Sequence, residues 1–148
     1  MPFVYLGLGT NLGDKEANLN TAIANLSNLG TVIKQSSFHN SIPWGFESEN
    51  HFLNAVVLLE TKLSPLDLLT QTQQIESELG RTTKSVGTYS DRIIDIDIML
   101  YEELVMNTPE LKIPHPLIAE RDFVLIPLLE ISPDVINPFT GETYKNFR

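Results

Sequence analysis

The sequence predicts an α/β protein of the α+β kind, an antiparallel sheet with helices laid against it, in the order β-α-β-β-α-β. Three observations point there. Four apolar runs of strand length alternate with two segments whose apolar residues recur at helical spacing. Glycine, proline and polar clusters punctuate the boundaries between them. At 148 residues, with 42% hydrophobic and 20% charged side chains, the chain is sized and composed like one globular domain. A single domain over residues 1–148 is expected, with no linker, low-complexity tract or internal repeat.

Pro2 to Leu8 is apolar and strand-like, and Gly7-Leu8-Gly9-Thr10-Asn11-Leu12-Gly13-Asp14 reads as a turn. A helix follows on Leu19, Ala22, Ile23, Leu26 and Leu29, with Gly30 at its C′ position. Thr31 to Phe38 reads as the second strand, His39 to Asn50 as irregular, and Phe52 to Glu60 as the third strand. Ser64-Pro65-Leu66-Asp67 opens a second helix: Ser64 can cap it, Pro65 suits its first position, and Asp67 stands where a capping-box partner belongs. Leu68, Thr72, Ile75 and Leu79 make its buried stripe, and Gly80 ends it. Arg81 to Arg92 is polar and too long for a plain connection, so a functional or mobile loop is expected. Ile93 to Tyr101 is the fourth strand. The order is ferredoxin-like, with two helices on one face of the sheet. Beyond Glu102 come a short strand or hairpin, the turn Pro114-His115-Pro116, and Phe123 to Leu129, read as helical although Pro127 interrupts it. That last segment would cover the second face and give α-β-α layers.

Composition excludes several functions. With no cysteine, disulfide scaffolds, thiol nucleophiles and cysteine-ligated metals are ruled out. Apolar runs such as Val56-Val57-Leu58-Leu59 are far shorter than the ~20 residues that span a bilayer. Met1 to Leu8 has no basic leader segment, so a cytoplasmic protein without a membrane partner is expected. The net charge of −9 disfavours nucleic acid as a partner. Yet Arg81, Lys84, Arg92, Lys112 and Arg121, half of all lysines and arginines, fall in about a quarter of the chain, which points to a small anionic ligand.

The sharpest motif is Arg92-Ile93-Ile94-Asp95-Ile96-Asp97-Ile98-Met99-Leu100. In a strand Asp95 and Asp97 share one face, about 7 Å apart along the backbone, while Ile94, Ile96, Ile98 and Leu100 cover the other. Two such carboxylates repel in an apolar setting, and a bound divalent cation removes the conflict. Hard oxygen donors with open remaining positions suit Mg²⁺ on a polyphosphate. The opening glycines match a dinucleotide fingerprint poorly, the third glycine coming one residue late, and no P-loop exists in the chain. Gln73 and Glu76 share a helix face that points away from the buried stripe and read as solvated. His115 is held rigid between two prolines and could bind a phosphate, whereas His39 and His51 read as structural. Phe52, Phe123, Trp44 and Tyr89 lie in or beside polar loops; packing is their default role, but a flat aromatic pair can also sandwich a heterocycle whose edge an amide such as Asn54 reads. The residues alone leave open another metal-dependent nucleotidyl or phosphoryl transferase on this scaffold, or a small-ligand sensor; the aspartate pair speaks against the sensor.

The chain resembles the 6-hydroxymethyl-7,8-dihydropterin pyrophosphokinase family over nearly its whole length. The resemblance rests on Gly7–Asp14, Ser41-Ile42-Pro43-Trp44-Gly45, Phe52-Leu53-Asn54-Ala55, Ile75-Glu76 with Gly80-Arg81, Arg92 to Ile98, and Ile113-Pro114-His115-Pro116 with Arg121 and Phe123. It implies transfer of the terminal two phosphates of ATP, as one unit, to the pterin hydroxymethyl oxygen, giving AMP. It implies two Mg²⁺ ions on Asp95 and Asp97, and a pterin site of Ser41, Pro43, Trp44, Phe52, Asn54 and Phe123. Arg92 and Arg121 join the aspartates as the catalytic set. Gln73, Glu76, Arg81, Lys84, Arg92, Ile98, His115 and Arg121 match the ATP side. The chain departs from the family in the loop after Arg81, where Thr82 and Thr83 stand in place of basic residues and Lys84 is the nearest substitute. A monomer acting on these small molecules is expected.

Overall fold

The computed structural model describes residues 2–41, 51–79 and 93–147. The strands are β1 (Phe3–Thr10), β2 (Thr31–Gln35), β3 (His39–Ser41), β4 (Phe52–Glu60), β5 (Asp95–Tyr101), β6 (Met106–Asn107) and β7 (Lys112–Ile113). The helices are α1 (Lys15–Leu26), α2 (Pro65–Glu78) and α3 (Asp122–Ile131). The main sheet runs β2-β4-β1-β5 with every neighbour antiparallel, and β3 lies beside the start of β4. Mixed helices on an antiparallel sheet in this order make the expected ferredoxin-like core. β6 and β7 form a separate hairpin.

One face of the sheet carries Val4, Leu6, Leu8, Ala55, Val57, Leu59, Ile96 and Ile98, packed on Leu19, Ala22, Ile23 and Leu26 of α1 and Leu68 and Ile75 of α2. Apolar spacing of 3.6 on the helices and 2 on the strands brings these side chains to one layer. Asp14 caps α1 by accepting from the Ala17 amide at 3.1 Å. Ser64 caps α2 by accepting from the Asp67 amide at 3.2 Å, and Pro65 fills the first turn. The other face carries Val56, Leu58 and Leu100 beneath Val124, Leu125, Leu128 and Ile131 of α3. α3 therefore forms as expected and runs through Pro127, because four buried aliphatic side chains anchor it on both sides of the proline.

Several sequence readings are corrected. β1 continues through Gly7 and Gly9 to Thr10, so the turn begins only at Asn11. Both glycines sit in the middle of the sheet, where the ladder to β4 and β5 outweighs their weak strand propensity. Gly30 is not the C′ residue of α1, which ends at Leu26 with Ser27 as its cap. Gly30 instead passes so close to β4 that a Cβ there would lie 2.1 Å from the Glu60 carbonyl oxygen. The second strand stops at Gln35, and His39–Ser41, read as irregular, pairs with β4. The interruption arises at Ser36, which bonds Val56 through both its amide and its hydroxyl, each at 2.9 Å. β5 begins at Asp95, two residues late. Leu100 does not share a face with Ile96 and Ile98: Leu6 pairs with Ile98 but Tyr5 with Leu100, so Met99 is an extra bulged residue and Leu100 turns to the α3 side. Gly80, the loop from Arg81 to Arg92, Pro43 and Trp44 lie outside the described residues.

Gly30→Ala should destabilise the fold by about 1–3 kcal/mol, because backbone rather than a mobile side chain occupies the new methyl's space. Urea unfolding checks this, with the midpoint expected to fall at unchanged slope.

Candidate active site

The site is built on the α3 face of the sheet by cross-strand pairing. Gly9 of β1 pairs with Asn54 of β4 on one side and Asp95 of β5 on the other. Two residues along, Gly7 pairs with Val56 and Asp97. Directly opposed residues of an antiparallel pair share a face, so two rows form, Asn54-Gly9-Asp95 and Val56-Gly7-Asp97. Each has a glycine at its centre. The missing side chains deepen a hollow whose lining includes Ser41, Phe52, Asn54, Asp95, Asp97, Met99, Arg121 and Phe123. A Cβ on Gly9 would stand 3.1 Å from Asn54 Oδ1 and 3.6 Å from the Phe52 ring, and one on Gly7 would run into the end of Met99. The glycines are therefore the floor of the hollow, not a turn.

The first turn of α3 supplies the opposite wall. Phe123 is its second residue, and the Arg121 guanidinium lies 5.6 Å from the Phe123 ring centroid, a cation–π distance. Arg121 is only 2% exposed. Burial lowers its pKa to about 10, which leaves it fully cationic at neutral pH in the hollow that Asp95 and Asp97 also line. Asn54 is 3% exposed, and its amide nitrogen donates to the His39 carbonyl at 3.1 Å and to Ser41 Oγ at 2.7 Å.

A second, more open hollow lies at the outer edge of β5, lined by Ile96, Asp97, Ile98, Lys112, His115 and Pro116 among others. Asp97 lines both hollows, so it stands at their junction. The turn holding His115 follows the cis Ile113–Pro114 bond. The His115 amide donates to the Met99 carbonyl at 2.9 Å, and its ring Nδ1 accepts from the Leu117 amide at 3.2 Å. An accepting Nδ1 leaves the hydrogen of the neutral ring on Nε2. Burial pushes the His115 pKa down, against a smaller upward pull from Asp95, which favours that neutral form.

Asp95 and Asp97 fit Mg²⁺ in kind. They are two hard oxygen donors on one strand face, half-buried, both lining the first hollow and Asp97 the second as well. Among the described residues no third acidic or histidine ligand joins them in a metal-binding cluster. A cation there would take its remaining positions from water or phosphate, as Mg²⁺ does.

The structure brings together Ser41, Phe52, Asn54, Asp95, Asp97, Arg121 and Phe123 in one hollow, and Ile98 and His115 in the adjoining one. It does not bring Gln73 to either; Gln73 is exposed. Glu76 corrects the reading of a solvated carboxylate. It is 4% exposed and accepts from the Ile96 amide at 2.8 Å, between the two aspartates. The helix turns Glu76 towards β5, where an outward-facing strand amide needs an acceptor. Arg81, Lys84 and Arg92 lie outside the described residues. Sequence reasoning missed Gly7, Gly9 and Met99. The available signal was parity: once Gly7 and Gly9 are placed in a strand, their spacing of two puts them on one face.

A model of the family described as 7,8-dihydro-6-hydroxymethylpterin-pyrophosphokinase (HPPK) matches residues 5–133. A 2-amino-4-hydroxy-6-hydroxymethyldihydropteridine pyrophosphokinase of Porphyromonas gingivalis is 49% identical over 136 residues, covering 90% of this chain and 92% of the relative. The enzyme of that name from Aquifex aeolicus is 43% identical over 148 residues, covering 100% of this chain and 91% of the relative. Among solved structures, the Plasmodium falciparum HPPK-DHPS in complex with pteroate superimposes with a TM-score of 0.79 at 15% identity, over 99% of this chain. This chain spans about 41% of that longer one, and at such low identity the likeness speaks for the fold. No helix among the described residues is long and apolar enough to cross a membrane. With the family match over most of its length and relatives above 40% identity at nearly full coverage, the chain belongs to the 7,8-dihydro-6-hydroxymethylpterin-pyrophosphokinase family.

Proposed function

We propose that this chain, as a single monomeric domain, transfers the terminal pyrophosphoryl group of ATP to the hydroxymethyl oxygen of 6-hydroxymethyl-7,8-dihydropterin, releasing AMP in folate synthesis. The reaction is that of its family and of relatives covering nearly the whole chain. The observation that carries the reading is the glycine-floored hollow, whose two aromatic residues, one amide and carboxylate pair suit a flat polar ring with a reacting arm.

Phe52 and Phe123 hold the pterin ring between them. Asn54 reads the ring edge, and because both its N–H donors are taken by β3, it offers Oδ1 as an acceptor. Ser41 flanks that amide, and Pro43 and Trp44 complete the pocket by resemblance. The second hollow takes ATP. His115 donates from Nε2 to a phosphate oxygen, and Arg121 meets the transferring group where the hollows join. Gln73, Glu76, Arg81, Lys84, Arg92 and Ile98 are assigned to ATP by resemblance; for Glu76 the support is its bond to the Ile96 amide, which steadies the strand between the aspartates. Asp95 and Asp97 would hold two Mg²⁺ ions, which supply neutralisation of phosphate charge during transfer. ATP carries about four negative charges; Arg121 balances part of them in a protein of net charge −9, and the neutral His115 ring adds a hydrogen bond without charge.

Incubation with ATP, the pterin and Mg²⁺ should yield AMP and no ADP; nucleotide separation reads the outcome, and ADP would rule out pyrophosphoryl transfer. Asp95→Ala and Asp97→Ala should each lower turnover about 100-fold or more, several kcal/mol of transition-state stabilisation, while pterin binding stays nearly intact. Near wild-type turnover would remove that aspartate from the metal site. Phe123→Ala should weaken pterin binding by about 1–3 kcal/mol in calorimetry, and an unchanged affinity would assign the ring to the core.

A further inference from the structure

We propose that Glu130, at the far end of α3, is a positioning residue for the pterin, acting through His39 to fix the Asn54 carboxamide. This rests on the reading of Asn54 as the residue that recognises the ring edge. Glu130 gathers three donors from the segment joining β2 to β3. Its Oε2 accepts from the Ser37 amide at 2.8 Å. Its Oε1 accepts from Ser37 Oγ at 2.9 Å and lies 2.7 Å from His39 Nε2. The hydrogen bond from His39, then that from the Ser37 amide, hold the Glu130 carboxyl below its usual range, so the acceptor stays ionised at neutral pH.

β3 needs such a tie. It has three residues and, among the described residues, pairs with β4 alone, His39 standing opposite Asn54 and Ser41 opposite Phe52. Both hydrogens of the Asn54 amide go to this short strand, one to the His39 carbonyl and one to Ser41 Oγ. That arrangement leaves Oδ1 as the group beside Gly9, at the floor of the hollow. If β3 shifts, the two acceptors shift with it, and the carboxamide is free to rotate. A rotated amide offers N–H where O stood and meets a ring N–H donor to donor. Glu130 thus determines whether the site presents an acceptor, although it lies outside the hollow. Its side chain is 37% exposed and that of His39 31%, so the pair itself adds little to global stability.

Steady-state kinetics with pterin and ATP varied in turn test this on Asn54→Ala, Glu130→Ala, Glu130→Gln and the double variant Asn54→Ala with Glu130→Ala. Glu130→Ala should raise the pterin KM about five- to tenfold, with the ATP KM and kcat within about twofold and an unchanged Tm. Glu130→Gln keeps one acceptor oxygen and should recover much of the loss. In the Asn54→Ala background, removing Glu130 should add nothing, because the group it positions is gone. An unchanged pterin KM in Glu130→Ala alongside a raised one in Asn54→Ala overturns the inference and leaves the Asn54 reading intact. Additive losses in the double variant, or parallel changes in both KM values and Tm, also overturn it. An unchanged pterin KM in Asn54→Ala overturns the Asn54 reading itself, and the inference with it. Should Glu130→Ala fail to fold, His39→Phe, which keeps a ring but removes the Nε2 donor, carries the same comparison.

Discussion

The site depends on two absent β-carbons. Gly7 and Gly9 stand in the central strand of the sheet, each between a β4 residue and an aspartate of β5. Ordinary side chains there would fill the α3 face and press on Met99 and Asn54. Glycine weakens a strand interior, but these two positions are bonded on both sides, so the ladder tolerates them. The result is a recess with a rigid backbone floor. Its walls come from different elements: an amide and an aromatic ring from β4, carboxylates from β5, a cation and a second ring from the entry to α3.

The two faces of the sheet divide the work. The α1 and α2 face is a continuous aliphatic layer. The α3 face is apolar beneath Val124, Leu125, Leu128 and Ile131, and gives way to polar groups around Arg121, Asp95 and Asp97. The bulge at Met99 marks the change along β5. Before it, Asp95 and Asp97 face the hollow; after it, Leu100 packs beneath α3. Electrostatics follow the same division. A buried guanidinium, still charged with its pKa at about 10, sits with the two carboxylates, so the recess is not uniformly negative despite the net charge of −9.

Much of this was legible from residue order. The β4 run Phe52–Glu60 and the Ser64-Pro65 start of α2 are local signals, and both appear where the pattern puts them. The aspartate pair was legible because strand parity needs no tertiary information. What escaped depends on contacts distant in sequence. Gly7 and Gly9 look like a turn until their pairing with β4 and β5 is known. Gly30 looks like a helix cap until Glu60 is found against it. Glu76 looks solvated until Ile96, twenty residues on, offers an amide. Leu100 is displaced by a bulge that periodicity does not reveal. Glu130 and Ser37 sit in unremarkable sequence, and His39 was read as structural; their association spans more than ninety residues.

The Glu76 bond has a consequence beyond the site. Among the described residues β5 pairs only with β1, and its other side is a rim of the sheet. Rims of exposed amides and carbonyls invite strands from other molecules and are a common origin of aggregation. Here a carboxylate from a helix takes the Ile96 amide and the backbone of the proline turn takes the Met99 carbonyl. Neither partner is a strand, so neither extends the ladder. The second hollow lies along the same rim. The hollow beside this edge and the protection of the edge against another polypeptide thus share a single boundary.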